Sequence, residues 1–129
     1  MKLKFWGTCG SLPAPIEGAA VRNKIFRALQ LAAGKKLESD SAILRFIDEE
    51  LPFEVAQTYG GNTSCVELTL PQSESVLLLD GGSGLREYSE HYIASGKANT
   101  KRTFHFFMSH LHWDHIQGFP FFRPAFQKG

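Results

Sequence analysis

Residues 110–115 read His-Leu-His-Trp-Asp-His and follow the largely apolar run Phe104–Met108 after one residue, Ser109. Four side chains in six positions can ligate a metal. In an extended or tightly turning segment alternate side chains point the same way, so His110 and His112 can converge on one cation. A turn opening a helix then brings Asp114 and His115 toward a second. Imidazole suits zinc, iron and copper, and a carboxylate adds charge and a harder oxygen donor. Two neighbouring cations can activate a water and stabilise both the attacking and the leaving oxygen of a displacement. The bland alternative is a histidine-rich polar turn without metal, in which each such side chain would need its own partner if buried.

Other candidates carry less. His91 lies between Glu90 and Tyr92 in a predicted helix and reads as a surface residue. His105 sits mid-strand and reads as packed or exposed rather than ligating. Cys9 and Cys65 form no CxxC pair and read as free thiols with a buried structural role. Gly81, Gly82 and Gly84 lack the lysine and the spacing of a phosphate loop and read as room for close backbone packing. Asp80, at a strand end, is either a turn former or a supporting carboxylate.

The elements that must position these residues follow from periodicity. Leu3 and Phe5 alternate with Lys2 and Lys4, which predicts a half-buried strand over residues 2–6. Gly7–Pro15 is a loop. Val21, Ile25 and Leu29 recur at helical spacing, predicting a helix over 19–33 that ends before Gly34. A second helix starts near Ser39–Ser41, places Ile43, Ile47 and Leu51 on one face, and ends at Pro52. The pair reads as an insertion over 19–52, a structural cap rather than a substrate lid. Val66, Leu68 and Leu70 predict a strand, and Val76–Leu79 one buried on both faces, the two forming a hairpin. A helix spans Leu85–Ala94, and Phe104–Met108 is a further buried strand. The fold class is α+β.

Composition bounds the rest. The chain has 129 residues, 14 Lys+Arg against 13 Asp+Glu, and 43% hydrophobic residues. This is ordinary globular usage and excludes a disordered charged tail, a collagen-like chain and a disulfide miniprotein. The net charge of +1 gives no global electrostatic case for nucleic acid. Arg22, Lys24, Arg27, Lys35 and Lys36 read as a solvated helix face. No apolar run is long enough for a transmembrane helix, and Gly7, Cys9, Gly10 and Pro13 break any signal-peptide core, so the expected location is cytoplasmic, with no membrane partner.

His110-x-His112-x-Asp114-His115 resembles the signature of the metallo-β-lactamase superfamily. Leu77-Leu78-Leu79-Asp80-Gly81-Gly82 resembles the strand and Asp-Gly motif upstream of that family's metal loop. Phe5–Pro13, Gly60–Cys65 and Asp114–Pro120 resemble its ribonuclease Z and phosphodiesterase-like branch. The resemblance implies that His110 and His112 bind a first metal and Asp114 and His115 a second. Asp114 would also orient or deprotonate the attacking water, and Asp80 would brace the metal loop without ligating. It implies two divalent ions, zinc first, with manganese or iron as alternatives, and a metal-bound hydroxide attacking a phosphodiester. Substrates would be RNA, a cyclic nucleotide or a small phosphodiester; a thioester hydrolase of the same fold is the alternative chemistry.

The family fold is an αββα sandwich of two similar halves, with metal ligands from both. Ile116–Gly129 contain no His, Asp, Glu or Cys. The resemblance thus implies that residues 1–129 form the N-terminal half of such a domain, completed by a separately encoded C-terminal half or by a homodimer. Eight aromatic residues between Phe104 and Phe126 would then form an exposed apolar patch. A non-catalytic interaction module docking on a partner is the competing reading.

Overall fold

A computed structural model describes residues 1–96 and 102–126. The chain forms two compact units, one from Met1–Pro15 and Gly60–Gly129, the other from Ile16–Tyr59. The second is wider at both ends than the helical pair expected over 19–52.

The first unit is α+β. Its mixed sheet runs in sequence order through β1 (Lys2–Gly7), β2 (Cys65–Thr69), β3 (Ser75–Leu79) and β4 (Thr103–Phe107). The β1–β2 and β2–β3 pairs are antiparallel, the latter being the expected hairpin. β4 lies parallel to β3, with Leu79 opposite Phe107. A parallel pair needs a crossover, and the connection contains a helix over Gly84–Ala94. That helix buries Leu85, Tyr88, Ser89 and Tyr92, the i, i+3, i+4, i+7 stripe of one helical face. The stripe packs with Cys65, Val76, Leu78 and Phe122 into one core, flanked by Trp6, Phe104, Phe106 and Phe119. Burial, then the nearby Asp80 and Glu67 charges, push the Cys65 thiol up to about 12, which makes it an inert packing group.

Among the described residues only one face of the sheet is covered in this way, and this corrects several expectations. Along β1 it is Trp6 that reaches the core, with the Lys4 ammonium 3.7 Å from its ring centre, while Leu3 and Phe5 are 49% and 64% exposed. In β3, Val76 and Leu78 are buried but Leu79 is exposed, so the strand is not buried on both faces. β4 alternates in the same sense, with His105 and Phe107 exposed. The expected aromatic patch divides likewise. Phe104, Phe106, Phe119 and Phe122 join the core, and Phe107, Trp113, Phe121 and Phe126 are exposed.

The second unit holds three helical segments: Gly18–Ala32, Asp40–Arg45 and Phe53–Ala56. The first ends before Gly34, whose φ of +78° suits glycine. The second is capped by Ser39, whose hydroxyl accepts from the Ala42 amide at 3.2 Å. It widens into a π-turn over Phe46–Glu50, closed by Leu51 N–H donating to the Phe46 carbonyl. Pro52 then holds Leu51 extended, as a proline does to the residue before it. The short segment after Pro52 has no counterpart in the sequence reading. Phe46 and Val55 are this unit's buried residues. The Val21, Ile25, Leu29 stripe is exposed, not packed; Lys24 instead donates to the Glu54 and Gln57 carbonyls, satisfying acceptors at the end of the last helix. No helix of the described residues is long and apolar enough to cross a membrane.

Candidate functional site

The site forms at the carboxyl ends of β3 and β4. Because these strands are parallel and in register, the residues just beyond them emerge side by side. The Asp80 amide donates to the Phe107 carbonyl at 3.0 Å, which prolongs the pairing by one bond. Asp80 takes φ of +60°, a left-handed turn that asparagine and aspartate tolerate better than most side chains. The chain then closes on itself. Gly81 N–H donates to the His115 carbonyl at 2.7 Å, and Gly118 N–H to the Gly81 carbonyl at 2.9 Å. A Cβ on Gly82 would lie 2.3 Å from the Asp114 carbonyl oxygen and 2.4 Å from Thr63 Oγ1. Glycine is what permits this approach, in line with the packing role read for it.

Asp80 is the hub. Only 6% exposed, it receives the Ser109 amide on Oδ1 at 2.8 Å and Ser64 Oγ on Oδ2 at 3.0 Å. His115 Nδ1 lies 2.8 Å from Oδ2, and Ser109 Oγ is within 3.0 Å of both oxygens. Burial opposes ionisation, but the bonds from the Ser109 amide, His115, the Ser109 hydroxyl and Ser64 outweigh it and hold the carboxyl below the ordinary aspartate range. An ionised carboxylate only accepts, so His115 donates its Nδ1–H to Asp80.

Nε2 of His115 sits 3.2 Å from Asp114 Oδ2. The His110 ring lies 4.0 Å from the His115 ring and 4.5 Å from the His112 ring, centre to centre. Ser109 Oγ is 3.1 Å from His110 Nδ1. The serine's single proton is drawn to the Asp80 carboxylate, the stronger acceptor, so its oxygen is open to a His110 Nδ1–H donor. His110 then also presents Nε2. Desolvation works against the Asp114 charge, but the Ser11 amide, its own amide and the nearby His115 and His110 hold its carboxyl below the ordinary aspartate range. His112, at the entrance of the turn Trp113–Ile116, is exposed.

All five residues singled out in the sequence therefore lie at one place. Among the described residues, no group of three or more His, Cys, Asp or Glu side chains is arranged to hold a metal ion. The donors nonetheless fit a divalent transition metal in type and in support. Imidazole Nε2 atoms are presented beside a carboxylate, and a buried carboxylate anchors Nδ1 behind one of them, the usual outer bracing of a metal-binding histidine. The fit is to sites of few protein ligands, not to a closed structural site. His91 and His105 lie outside the cluster; His91 rests against Trp6.

Several supporting residues carried no recognisable signal. Ser64 and Ser109 act through hydroxyls, and Ser109 could have been suspected only as the polar break between strand and motif. Ser11 acts through its backbone amide, which no side-chain pattern betrays. Gln117 reaches back to Thr63 Oγ1 at 2.9 Å, and Thr63 and Ser83 exchange bonds that tie the 60–65 turn to the 80–83 turn.

Comparison with known proteins gives a partial likeness. A stretch of 61 residues is 41% identical to a ribonuclease Z of Staphylococcus carnosus (strain TM300), covering 46% of this chain and 18% of that relative's length. No family model matches the chain, and no solved structure matches it.

Proposed function

We propose that this chain carries the metal-binding face of a metal-dependent hydrolase of the metallo-β-lactamase superfamily, with an RNA or small phosphodiester as substrate, a cyclic nucleotide included. One observation supports the reading: His110, His112, Asp114 and His115 lie next to one another in front of a buried carboxylate, Asp80, at the ends of two parallel strands. The partial likeness to a ribonuclease Z supports the chemical class and favours RNA. His110 and His112 would hold one divalent ion and Asp114 with His115 a second, zinc before manganese or iron. Bound there, such ions supply Lewis acidity and lower the pKa of a coordinated water.

The chain's own residues do the positioning. Asp80 keeps His115 in the Nδ1–H tautomer and fixes its ring plane. Ser109 links that carboxylate to His110. Asp114, ionised beside His115, can orient the attacking water and accept its proton. The exposed sheet face bearing Leu3, Phe5, Leu79 and Phe107 is the surface a second half of an αββα sandwich, or a second copy of the chain, would cover.

The test is metal content by elemental mass spectrometry on untagged protein, paired with hydrolysis of bis(p-nitrophenyl) phosphate. About one or two metals per chain are expected, lost together with hydrolysis in a His110→Ala/His112→Ala variant. A double variant that keeps both its metal and its activity sinks the proposal.

A further inference from the structure

The loop after β1 reaches across the fold to Asp114. Ser11 N–H donates to Asp114 Oδ2 at 2.9 Å, between residues 103 apart in sequence. This is the oxygen that faces His115 Nε2 at 3.2 Å. Ser11 sits at the centre of a three-residue turn in which Leu12 N–H donates to the Gly10 carbonyl at 2.7 Å, with φ of +60° at Ser11. A γ-turn with positive φ is rare and strained for an L-residue, and such strain persists only where the surroundings fix it.

The surroundings do fix it. The amides of Thr8 and Cys9 both donate to the Asn62 carbonyl, at 3.0 and 2.9 Å, and Ala14 N–H donates to the Gly61 carbonyl at 2.8 Å. Asn62 is held in turn by Ser83 Oγ on its side-chain oxygen. Both roots of the loop are thus pinned to the 61–62 turn, and Ser11 stands at the tip between them.

We propose that the Gly10–Leu12 turn is a clamp on Asp114, in which the Ser11 backbone amide acts as a positioning group that fixes Oδ2 beside His115 Nε2. Its link to metal binding rests on the reading given under Proposed function; the clamp itself does not. Since the donor is main chain, the side chain at position 11 is dispensable and the N–H is not. A proline there removes the donor and cannot adopt positive φ. A glycine keeps the donor and relieves the strain.

Two measurements test this. In metal-free protein, amide exchange by NMR should show Ser11 at least about tenfold faster in Asp114→Ala than in the parent chain, with Cys9 and Ala14 unchanged. Equal Ser11 rates in the two proteins would overturn the clamp. In cobalt(II) titrations followed by absorbance, Ser11→Pro should bind about 10–100-fold more weakly, while Ser11→Gly stays within about threefold of the parent. Equal weakening by glycine and proline would overturn the backbone role. If the parent chain binds no cobalt, the metal reading fails, and the exchange comparison still decides the clamp.

Discussion

Replacing Asp80 by asparagine isolates the charge at the centre of the site. Asparagine matches aspartate in shape and tolerates the φ of +60° at this position, so the backbone gains no strain. The carboxylate accepts from the Ser109 amide and from His115 Nδ1, both at 2.8 Å, and from the Ser64 hydroxyl at 3.0 Å. Charge-assisted bonds contribute about 1.5–3 kcal/mol each against about 0.5–1.5 for neutral ones. Downgrading the two short ones, in a site only 6% exposed, gives an expected loss of about 2–3 kcal/mol. The amide nitrogen would also face His115 Nδ1 as a donor and drive the proton to Nε2, the atom beside Asp114. Urea unfolding in EDTA, followed by tryptophan fluorescence, measures the first effect, and histidine nitrogen shifts by NMR measure the second. The pH dependence has a definite sign. Asp80 titrates lower folded than unfolded, so its contribution is complete above the ordinary aspartate pKa of about 3.9 and is lost as pH falls through the folded value. The gap between parent and variant should therefore be level from about pH 7 to 5 and close below about pH 4. A variant as stable as the parent at neutral pH, with His115 unchanged in tautomer, would refute the bracing role.

Two further outcomes follow from packing. Gly82→Ala should cost about 1–3 kcal/mol, because its Cβ would lie 2.3 Å from the Asp114 carbonyl oxygen; an unshifted urea midpoint would show that this approach is not tight in solution. Tyr88→Phe should be neutral or stabilising by up to about 1 kcal/mol, because the Tyr88 hydroxyl is buried without a hydrogen-bond partner among the described residues; a clear loss in urea unfolding would reveal a further partner.

The site was more legible in the sequence than the faces of the elements. A dense run of ligand-type residues after an apolar strand needs only local spacing to be noticed, and Asp80 belongs to a strand-to-turn pattern. The element order was legible for the same reason, since β2, β3, the helix over Gly84–Ala94 and β4 each carry their own periodicity. Which face of β1 or of the Gly18–Ala32 helix turns inward was not. Leu3 and Phe5 alternate as core residues do, yet the helix covers the side of Trp6. Val21, Ile25 and Leu29 form an apolar stripe, yet Lys24 turns toward the neighbouring carbonyls. Alternation reports that two faces differ, and only tertiary packing says which is covered. Backbone donors such as Ser11 leave no mark in residue type at all.

The pinned root of the loop at 61–62 has an architectural consequence. Ala14 and Gly61 are joined by a backbone bond, and a Cβ on Gly61 would lie 2.0 Å from the Ala14 carbonyl oxygen. The chain that departs for residues 16–59 and the chain that returns from them are thus held together at the neck. A host stitched in this way is nearly indifferent to what hangs beyond the stitch, because loop-closure entropy grows only with the logarithm of length. Lengthening or shortening the segment beyond the neck should therefore leave the 61–62 turn and the residues it holds in place.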